Sequence, residues 1–413
     1  MYKKLSVVLH LIFVFCSMAV LDSCTDYEPE ADVCNVTFAL VADEALPEGI
    51  VLTVKSNTGN MYTTLTSSSS SSSLLLPPGI YEITAEMVDR DTKKIYRGSL
   101  SDVVIGESNM NVNVDVTVSA MPEASLIIKE LYVGGCQKDD GSGVFQMDKC
   151  IILYNNSSEI FSEDNVCIGI VEPYNAQASS HNFLVDGVLQ YADEDWIPAI
   201  NGIWYYPGTL TVQPYSEIVI AVNGAIDHTQ TYSNSVNYAN SDYYCMYDPV
   251  TTSSDGIAYY NTNYYPTPSA LIPVTHYFKA IKYGQANAWP LSTTSPAVIL
   301  FKMKGTTPLE YGTYSNVIYP DGKSGNLVYA CLKVQRSWVM DAVEVYSANN
   351  LAECKKRLTP DLDNGYVLHT NKYGHSLIRN IDQEATAKAG HDIYVDTNNS
   401  SADFYEADRC SLK

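Results

Sequence analysis

The feature that most constrains the fold of this chain is an alternation of apolar and polar residues that recurs in short segments. In four segments the apolar residues occupy every second position: residues 34–40, 50–54, 81–87 and 112–118. Successive side chains of a β-strand point to opposite faces, so a period of two predicts half-buried strands. About six or seven such strands between residues 33 and 120, without a helical stretch, predict a small β-sandwich.

One turn and strand of this first domain carry a more particular signal. Residues 76–83 read Leu-Pro-Pro-Gly-Ile-Tyr-Glu-Ile, in which Pro and Gly set a turn before an alternating strand. The segment resembles the turn and strand of carboxypeptidase-regulatory-like and transthyretin-like modules, which implies an Ig/transthyretin-like β-sandwich at residues 33–120. The serine run from Ser67 to Ser73 can bury nothing, so we expect a loop there.

A second domain is expected at residues 121–413. The 413 residues of the chain suit two domains, and Met121-Pro122-Glu123 interrupts the strand pattern. Two apolar runs bounded by turn residues predict the first strands of this domain, at 126–133 and 150–154. A short helix is predicted at 350–358, where apolar residues recur at spacings of three and four.

Two stretches of the second domain resemble lamin-tail domains. Residues 128–132 (IKELY) and 148–155 (DKCIILYN) are similar to the opening of that domain, and residues 210–221 (LTVQPYSEIVIA) are similar to a later strand. Tyr215 stands where the lamin-tail pattern has Gly. The resemblance implies a lamin-tail-like β-sandwich. Because lamin-tail domains are generally interaction modules, it favours binding over catalysis.

Residues 226–296 are longer than a sandwich loop needs and rich in Tyr, so we interpret them as an insertion that decorates one end of the second domain. A Tyr ring can stack on sugars, planar ligands or peptide side chains while water satisfies its hydroxyl. The predicted ligand-binding residues are Tyr243, Tyr244, Tyr259, Tyr260, Tyr264 and Tyr265. The alternative is that these rings only pack, because Tyr is also a favoured strand residue.

The N-terminal segment predicts export. A basic start precedes the apolar run Leu11–Leu21, which has the length of a signal peptide and is too short to span a bilayer. The run ends in Leu21-Asp22-Ser23-Cys24, which resembles the cleavage site of bacterial lipoproteins. We therefore expect residues 1–23 to be removed and Cys24 to carry the lipid. The alternative is an ordinary secretory signal with Cys24 free or disulfide-bonded.

Residues 24–32 form an acidic tether, which in Bacteroidota lipoproteins resembles the signal for the outer face of the outer membrane. Residues 204–208 and 396–404 further resemble an uncharacterised Bacteroidota lipoprotein family that pairs a small sandwich with a lamin-tail-like domain. Related lipoproteins sit beside TonB-dependent transporters, so the resemblance implies such a transporter as a partner. The formal charge of −22 repels phosphate backbones and excludes nucleic acid.

The cysteines outside the signal and the anchor are even in number. They are Cys34, Cys136, Cys150, Cys167, Cys245, Cys331, Cys354 and Cys410. In an exported chain this predicts that most of them form disulfides, and reduced, buried thiols are the alternative. None has the CxxC spacing of a zinc or redox site.

No sequence motif picks out a catalytic residue or a cofactor. The histidines form no HExxH motif, and the sequence lacks a glycine-rich phosphate loop. Residues 139–143 (DDGSG) and 361–365 (DLDNG) cluster oxygen atoms of the kind that calcium prefers, although Asp and Gly are first of all turn formers. Calcium is therefore the one cofactor left open.

Three functions remain open at this stage. The favoured one is a non-catalytic, surface-exposed outer-membrane lipoprotein that binds a carbohydrate, a peptide or another small nutrient, or that serves a TonB-dependent transporter. A second is a hydrolase of glycans or peptides outside the cell, which requires a carboxylate pair or a metal that no motif identifies. A third is a structural or adhesive surface protein.

Overall fold

The computed structural model describes residues 33–67, 69–89, 92, 94–120, 125–177, 182–249, 264–283 and 289–413. Within these residues the protein is mainly β, as the alternation predicts, with 28 strands and three short α-helices. The chain divides into two compact units, Met1–Met121 and Pro122–Lys413. None of the helices in the described ranges is long and apolar enough to cross a membrane.

The first unit consists of eight strands, in the part of it that the structure describes: β1 Cys34–Val41, β2 Val51–Ser56, β3 Met61–Leu65, β4 Ser71–Leu76, β5 Gly79–Asp89, β6 Lys94–Ile105, β7 Met110–Asp115 and β8 Thr117–Ala120. They form a three-stranded sheet in the order β4-β1-β7 and a five-stranded sheet in the order β3-β2-β5-β6-β8. Every second residue of β1 and β2 is buried, as are Tyr81, Ile83 and Ala85 of β5, and these side chains build one core from both sheets. The period-two strands predicted at 34–40, 50–54 and 81–87 are confirmed, and the segment 112–118 is divided between β7 and β8, which belong to different sheets.

The serine run is not only a loop. Ser71, Ser72 and Ser73 belong to β4 and pair with β1 in antiparallel register. Two of their hydroxyls bond to neighbouring strands, Ser73 Oγ to Thr37 Oγ1 at 2.9 Å and Ser72 Oγ to Thr64 Oγ1 at 2.8 Å. Because β4 lies at the sheet edge, its backbone pairing compensates for side chains that bury no apolar surface.

The second unit holds the remaining strands: β9 Leu126–Tyr132, β10 Cys136–Gln137, β11 Val144–Phe145, β12 Cys150–Asn155, β13 Phe161–Glu163, β14 Val166–Val171, β15 Leu184–Val185, β16 Val188–Leu189, β17 Trp196–Tyr205, β18 Leu210–Val212, β19 Glu217–Ala221, β20 Tyr244–Met246, β21 Tyr277–Lys282, β22 Ala297–Lys302, β23 Val317–Ile318, β24 Cys331–Gln335, β25 Val339–Ser347, β26 Val367–His369, β27 Ser376–Arg379 and β28 Phe404–Ala407. Its α-helices are α1 Pro308–Tyr311, α2 Gln383–Ala389 and α3 Ser400–Asp403. Its 3₁₀ helices are His228–Gln230, Val274–His276, Tyr314–Asn316, Leu327–Tyr329, Arg336–Trp338 and Ala348–Glu353.

One large sheet organises this unit. Its strand order is β26-β25-β22-β14-β17-β21-β20-β19-β12-β9-β27-β28, with β24 pairing β17 and β23 pairing β24. The strands β12 and β14 are buried at every residue, and β22 at all but its last, which explains their continuous apolar sequences. The strands predicted at 126–133 and 150–154 are confirmed as β9 and β12.

Residues 226–296 do more than decorate one end of the unit. They supply β20, which runs parallel to β19 and β21, and β21, which runs antiparallel to β17. The side chains of β21 alternate between buried and half-buried positions, so this strand contributes to the core. The segment is therefore part of the large sheet.

The helix predicted at 350–358 is wrong in extent and type. A 3₁₀ helix spans Ala348–Glu353, and its C-cap Cys354 is already extended. The backbone N–H groups of Arg357 and Leu358 donate to the carboxylate of Glu344, at 3.0 and 2.9 Å. This buried acid captures the amides that a helix would have bonded internally, so the chain continues without helical turns.

The prediction that most cysteines are paired is wrong as well. All eight cysteines of the described residues are free and buried. Burial raises the pKa of the thiols of Cys167 and Cys331 well above its usual range, so these groups stay protonated. They act as small apolar core residues, the alternative that the sequence left open.

Candidate functional site

A pocket of 460 Å³ opens in the second unit where several strand ends meet. Its lining comes from the segments before β12 and β22, from the segments after β14 and β19, and from the segment between β20 and β21. The volume suits a small ligand, because binding pockets usually hold about 300–1,000 Å³. The lining residues are Gln146, Met147, Lys149, Tyr174, Asn175, Gln177, Asn223, Tyr264, Trp289, Pro290, Leu291, Ser292, Thr293 and Thr294.

Hydrogen bonds join two of the lining segments to each other. The amide of Ala176 donates to the carbonyl of Ser295 at 3.3 Å, and Ser295 Oγ donates to Asn175 Oδ1 at 2.9 Å. Ser292 Oγ also accepts from the amide of Thr294 at 3.2 Å. These bonds hold the wall of the pocket in one arrangement, which lowers the entropy lost when a ligand binds.

Two aromatic rings lie open at the pocket. Tyr174 and Tyr264 are each 42% exposed, which is high for such large side chains. A third ring, that of Trp289, is buried, and its Nε1 has no hydrogen-bond partner among the described residues. A buried N–H without a partner costs about 1–3 kcal/mol, so a ligand that accepts a bond from this indole gains that energy.

The amine of Lys149 is the most unusual polar group of the pocket. The residue is 7% exposed, and its Nζ donates to the carbonyl of Leu291 at 3.2 Å. No carboxylate of the described residues lies within 4.0 Å of this Nζ. Burial lowers the pKa of Lys149 to about 8, because the charged form loses its hydration.

The neighbouring carboxylate is engaged elsewhere. Asp148 accepts hydrogen bonds from Tyr132 Oη at 2.7 Å and from the amide of Val236 at 2.9 Å, and it pairs with Lys413 at 3.3 Å. Burial opposes its ionisation, but the bond to His228, the charge of Lys413 and the bond to Tyr132 together lower the pKa of Asp148. This acid therefore belongs to a network of its own and does not serve Lys149 as a counter-ion.

The predicted tyrosines lie in different surroundings. Tyr264 lines the pocket. Tyr265 is buried behind it, and its hydroxyl accepts the amide of Trp289 at 2.9 Å, so it positions the pocket wall. Tyr244 is buried and stacks on His276 at 4.2 Å, while Tyr243 is half-buried against an apolar cluster that includes Tyr238. Tyr259 and Tyr260, like Cys24, lie outside the described residues.

Sequence reasoning missed Lys149, Tyr174 and Trp289. Lys149 gave one signal, because it directly precedes the apolar run 150–154. A lysine at such a position either enters the core with the strand or lies where the buried part of the strand begins. Tyr174 and Trp289 gave none, because they are far apart in sequence and the fold alone brings them to one pocket.

A second groove of 410 Å³ offers a contrast. It is lined by Glu163, Asp164, Lys302 and Lys304 among others. Its charges are satisfied internally: Lys302 pairs with Glu163, Asp164 accepts from Thr209 Oγ1 at 2.6 Å, and Lys304 donates to a backbone carbonyl at 2.8 Å. A ligand would have to break these bonds, so this groove is the weaker candidate.

The two loops considered for calcium use their carboxylates for the fold. Asp139 accepts the amide of Ser233 at 2.9 Å, and Asp363 accepts the amides of Glu344 and Ser400, each at 2.8 Å. Asp361 pairs with Arg336. Within the described residues no group of three His, Cys, Asp or Glu could hold a metal ion. The loop oxygens therefore anchor turns and buried amides.

A further buried cluster surrounds Arg379. Its guanidinium contacts Asp341 at 2.6 Å, Asp396 at 3.1 Å and Asp403 at 3.4 Å. Burial raises the pKa of Asp396 to about 7 and that of Asp403 to about 6, because one arginine does not offset three buried acids. The cluster ties β25 and β27 to the residues around α3. None of its four residues lines the pocket.

Comparison with known proteins gives a family without an assigned function. Residues 213–411 match the family described as "Protein of unknown function (DUF4876)". No curated protein matches the sequence. A crystal structure of a DUF4876 family protein from Bacteroides thetaiotaomicron VPI-5482 is similar, with 21% identity and a TM-score of 0.54 over 92% of this chain and 98% of that chain. At this identity the likeness concerns the fold alone.

The comparisons bear on the sequence resemblances only in part. Similarity to an uncharacterised family is supported, since both matches point to DUF4876. Neither match says anything about a lipoprotein or a lamin-tail domain. These two resemblances stay predictions.

Proposed function

We propose that this protein is a non-catalytic binding protein and that its site is the pocket around Lys149, Tyr174, Tyr264 and Trp289. One observation carries the proposal: the pocket combines two open ring faces with polar groups that lack a full set of partners among the described residues. Such a surface is costly for folding unless a ligand completes it. Rigid aromatic faces and a few fixed polar groups are the usual composition of small-molecule sites.

The ligand class that fits this lining is small, polar and ring-shaped or flat. The amides of Asn175, Gln177 and Asn223 and the hydroxyls of the 292–294 segment offer both donors and acceptors. The faces of Tyr174 and Tyr264 offer apolar area at little entropic cost. A carbohydrate or a similar small nutrient uses both kinds of group.

The binding test compares the mature chain with the double substitution Tyr174→Ala/Tyr264→Ala. A panel of monosaccharides, disaccharides, amino acids and dipeptides is screened by thermal shift and then by calorimetry. We expect at least one ligand to raise the melting temperature of the wild type and to lose about tenfold or more in affinity in the double variant. Tyr405→Ala is the matched control, because Tyr405 is 47% exposed but does not line the pocket.

Two results would contradict the proposal. One is a ligand whose affinity is the same in the double variant and the wild type, which moves the site elsewhere. The other is chemical conversion of the bound ligand during the assay, which supports the hydrolase alternative. If no ligand of the panel binds at all, the structural or adhesive alternative is favoured.

We further propose that the protein works at the cell surface, held in the outer membrane by lipid on Cys24. The support is the sequence around Cys24 and the acidic tether that follows it. A multiply acylated Cys anchors a protein stably, whereas a single chain does so only marginally. Cys24→Ser is expected to release the protein from the outer-membrane fraction. Protection from externally added protease in intact cells would contradict surface exposure.

A TonB-dependent transporter is the proposed partner, on the strength of the lipoprotein resemblance. Cross-linking in intact cells, followed by purification through the lipoprotein, is expected to recover such a transporter. The Cys24→Ser form serves as the control, because a released protein samples the membrane far less often. Recovery of the same transporter with both forms, or with neither, would contradict a membrane-held complex.

A further inference from the structure

We infer that the ligand is an acidic sugar, whose carboxylate pairs with the amine of Lys149 while its ring lies against Tyr174 and Tyr264. This inference rests on the proposed function and assigns the ligand class of the same pocket. It stands on the placement of one buried amine in a lining that is otherwise neutral. Among the described lining residues, Lys149 is the single side chain that carries a full charge.

The amine lacks the partner that a buried cation normally has. Two other buried cations of the described second unit, both arginines, pair with carboxylates: Arg357 with Glu344 at 2.6 Å and Arg379 with Asp341 at 2.6 Å. Among the described residues, Lys149 Nζ has only the Leu291 carbonyl as a partner, which satisfies one of its three N–H donors. A ligand carboxylate would supply both the missing charge and the missing acceptors, and charge-assisted bonds of this kind are the strong ones.

The rest of the lining selects the body of the ligand. The same lining includes amides and hydroxyls that fit sugar hydroxyls, while Tyr174, Tyr264 and Pro290 offer faces to the ring. A purely aliphatic carboxylate would leave these amides and hydroxyls without partners, and unpaired polar groups reduce affinity. The pocket of 460 Å³ also has room for a monosaccharide or a disaccharide.

The overall charge of the protein makes this recognition local. A chain with a formal charge of −22 repels anions at long range. Attraction to a carboxylate must therefore arise inside the pocket, where burial removes the screening by water. A wide, exposed basic surface would predict affinity that falls steeply with salt, whereas a buried pair predicts a weak salt dependence.

The first test measures preference between matched sugars. D-glucuronate and D-galacturonate are titrated by calorimetry at pH 7, beside D-glucose and D-galactose. In the two neutral sugars a hydroxymethyl group replaces the carboxylate. We expect one acid to bind the wild type about tenfold or more tightly than its neutral partner. In Lys149→Met, which keeps an unbranched side chain but removes the amine, we expect the ratio of the two affinities to fall to about one.

The second test measures proton uptake on ligand binding, which would not occur at Lys149 if this residue had only a structural role. At pH 8.5 much of the Lys149 amine is neutral, and binding of a carboxylate favours its protonation. Calorimetry in two buffers of different ionisation enthalpy is expected to detect proton uptake on binding in the wild type and none in Lys149→Met. The hydroxyls of Tyr174 and Tyr264 are the other titratable groups of the described lining, and Asp148 is engaged by its own partners.

The outcomes separate this inference from the proposed function. Equal affinity for the acid and neutral sugars, or an unchanged preference in Lys149→Met, would overturn the acidic-sugar inference. Binding of peptides or neutral sugars that depends on Tyr174 and Tyr264 would overturn it too, while leaving the binding function intact. If the wild type binds no ligand of the panel, both the acidic-sugar inference and the proposed binding function are overturned.

Discussion

At the residue scale, Lys149 is a group whose contribution to stability can be isolated. Its pKa falls from 10.5 to about 8 in the folded protein because of burial. The folded state therefore binds this proton less tightly than the unfolded chain does. Stability from this residue is lowest below pH 8 and rises as the pH increases from about 8 towards 10.5.

We predict that Lys149→Met raises the free energy of unfolding at pH 7 by about 1–3 kcal/mol. The substitution removes the cost of a buried charge and gives up one hydrogen bond to the Leu291 carbonyl, worth about 1 kcal/mol. Urea unfolding at several pH values measures the difference between the two proteins. The gain is expected to shrink above pH 8, and a gain that is constant between pH 7 and 10 would contradict a charged Lys149.

Tyr215 shows what a resemblance can and cannot predict at this scale. It stands at the position of a Gly in the lamin-tail pattern, and its φ of 51° is in the left-handed region that favours Gly. The turn between β18 and β19 thus forms without Gly. The ring stacks on His391 at 4.6 Å with an interplanar angle of 12°, a contact that offsets part of the backbone strain.

The predicted tyrosines make the same point about the site. Tyr264 and Tyr265 are neighbours with the same side chain, yet the first is 42% exposed at the pocket and the second is 1% exposed behind it. The two residues lie in a turn and a bend and not in a strand, so no periodicity of the sequence predicts which ring faces outward. The choice depends on Trp289, which lies 24 residues further on and donates its amide to the Tyr265 hydroxyl.

At the element scale, β17 is the strand that most of the large sheet depends on. It spans Trp196–Tyr205 and pairs with β14, β21 and β24. Gly202, near its end, has a φ of +109°, and a Cβ there would lie inside contact distance of the Ile281 carbonyl oxygen on β21. The glycine allows two backbones to approach closely, as glycines within strands often do.

Gly202→Ala is predicted to lower the free energy of unfolding by about 2–4 kcal/mol, because strand β21 must move away or β17 must change its backbone. Gly187→Ala is the matched control. Its φ is +82°, but nothing lies within 4 Å of an added Cβ, so only backbone strain of about 1 kcal/mol is expected. Equal effects of the two substitutions in urea unfolding would contradict the close approach of β17 and β21.

The strands were easier to predict than their partners. Period-two segments and apolar runs identify β1, β2, β5, β7, β9 and β12, because periodicity is a local property of the sequence. Strand order is not local: β20 and β21 enter the middle of the sheet from a segment that its polar composition marked as an insertion. The failed helix near residue 354 has a similar cause, since Glu344 on another strand captures the amides.

At the scale of the whole second unit, the last residues of the chain close its core. Cys410 is fully buried, Ser411 donates its amide to Glu130 at 3.0 Å, and Lys413 pairs with Asp148 at 3.3 Å. Glu130 and Asp148 are both buried acids near the start of the unit. Ser411 and Glu130 are 281 positions apart, so residues 411–413 join the end of the unit to its first strands.

Lys413→Met is predicted to lower the free energy of unfolding at pH 7 by about 2–4 kcal/mol, because it leaves Asp148 buried with less compensation. The lowered pKa of Asp148 gives stability that is present above pH 4 and lost as the pH falls further, so the difference from wild type shrinks in acid. Lys388→Met, which breaks an exposed pair with Glu384, is the control and should cost less than about 0.5 kcal/mol.

The central claim is that the pocket around Lys149 is where this protein binds its ligand. The most direct measurement is a crystal structure of the mature chain grown with the tightest ligand of the sugar panel. The account predicts ligand density between Tyr174 and Tyr264, with a carboxylate oxygen within hydrogen-bond distance of Lys149 Nζ. Density at another surface, with this pocket holding only solvent, would contradict it.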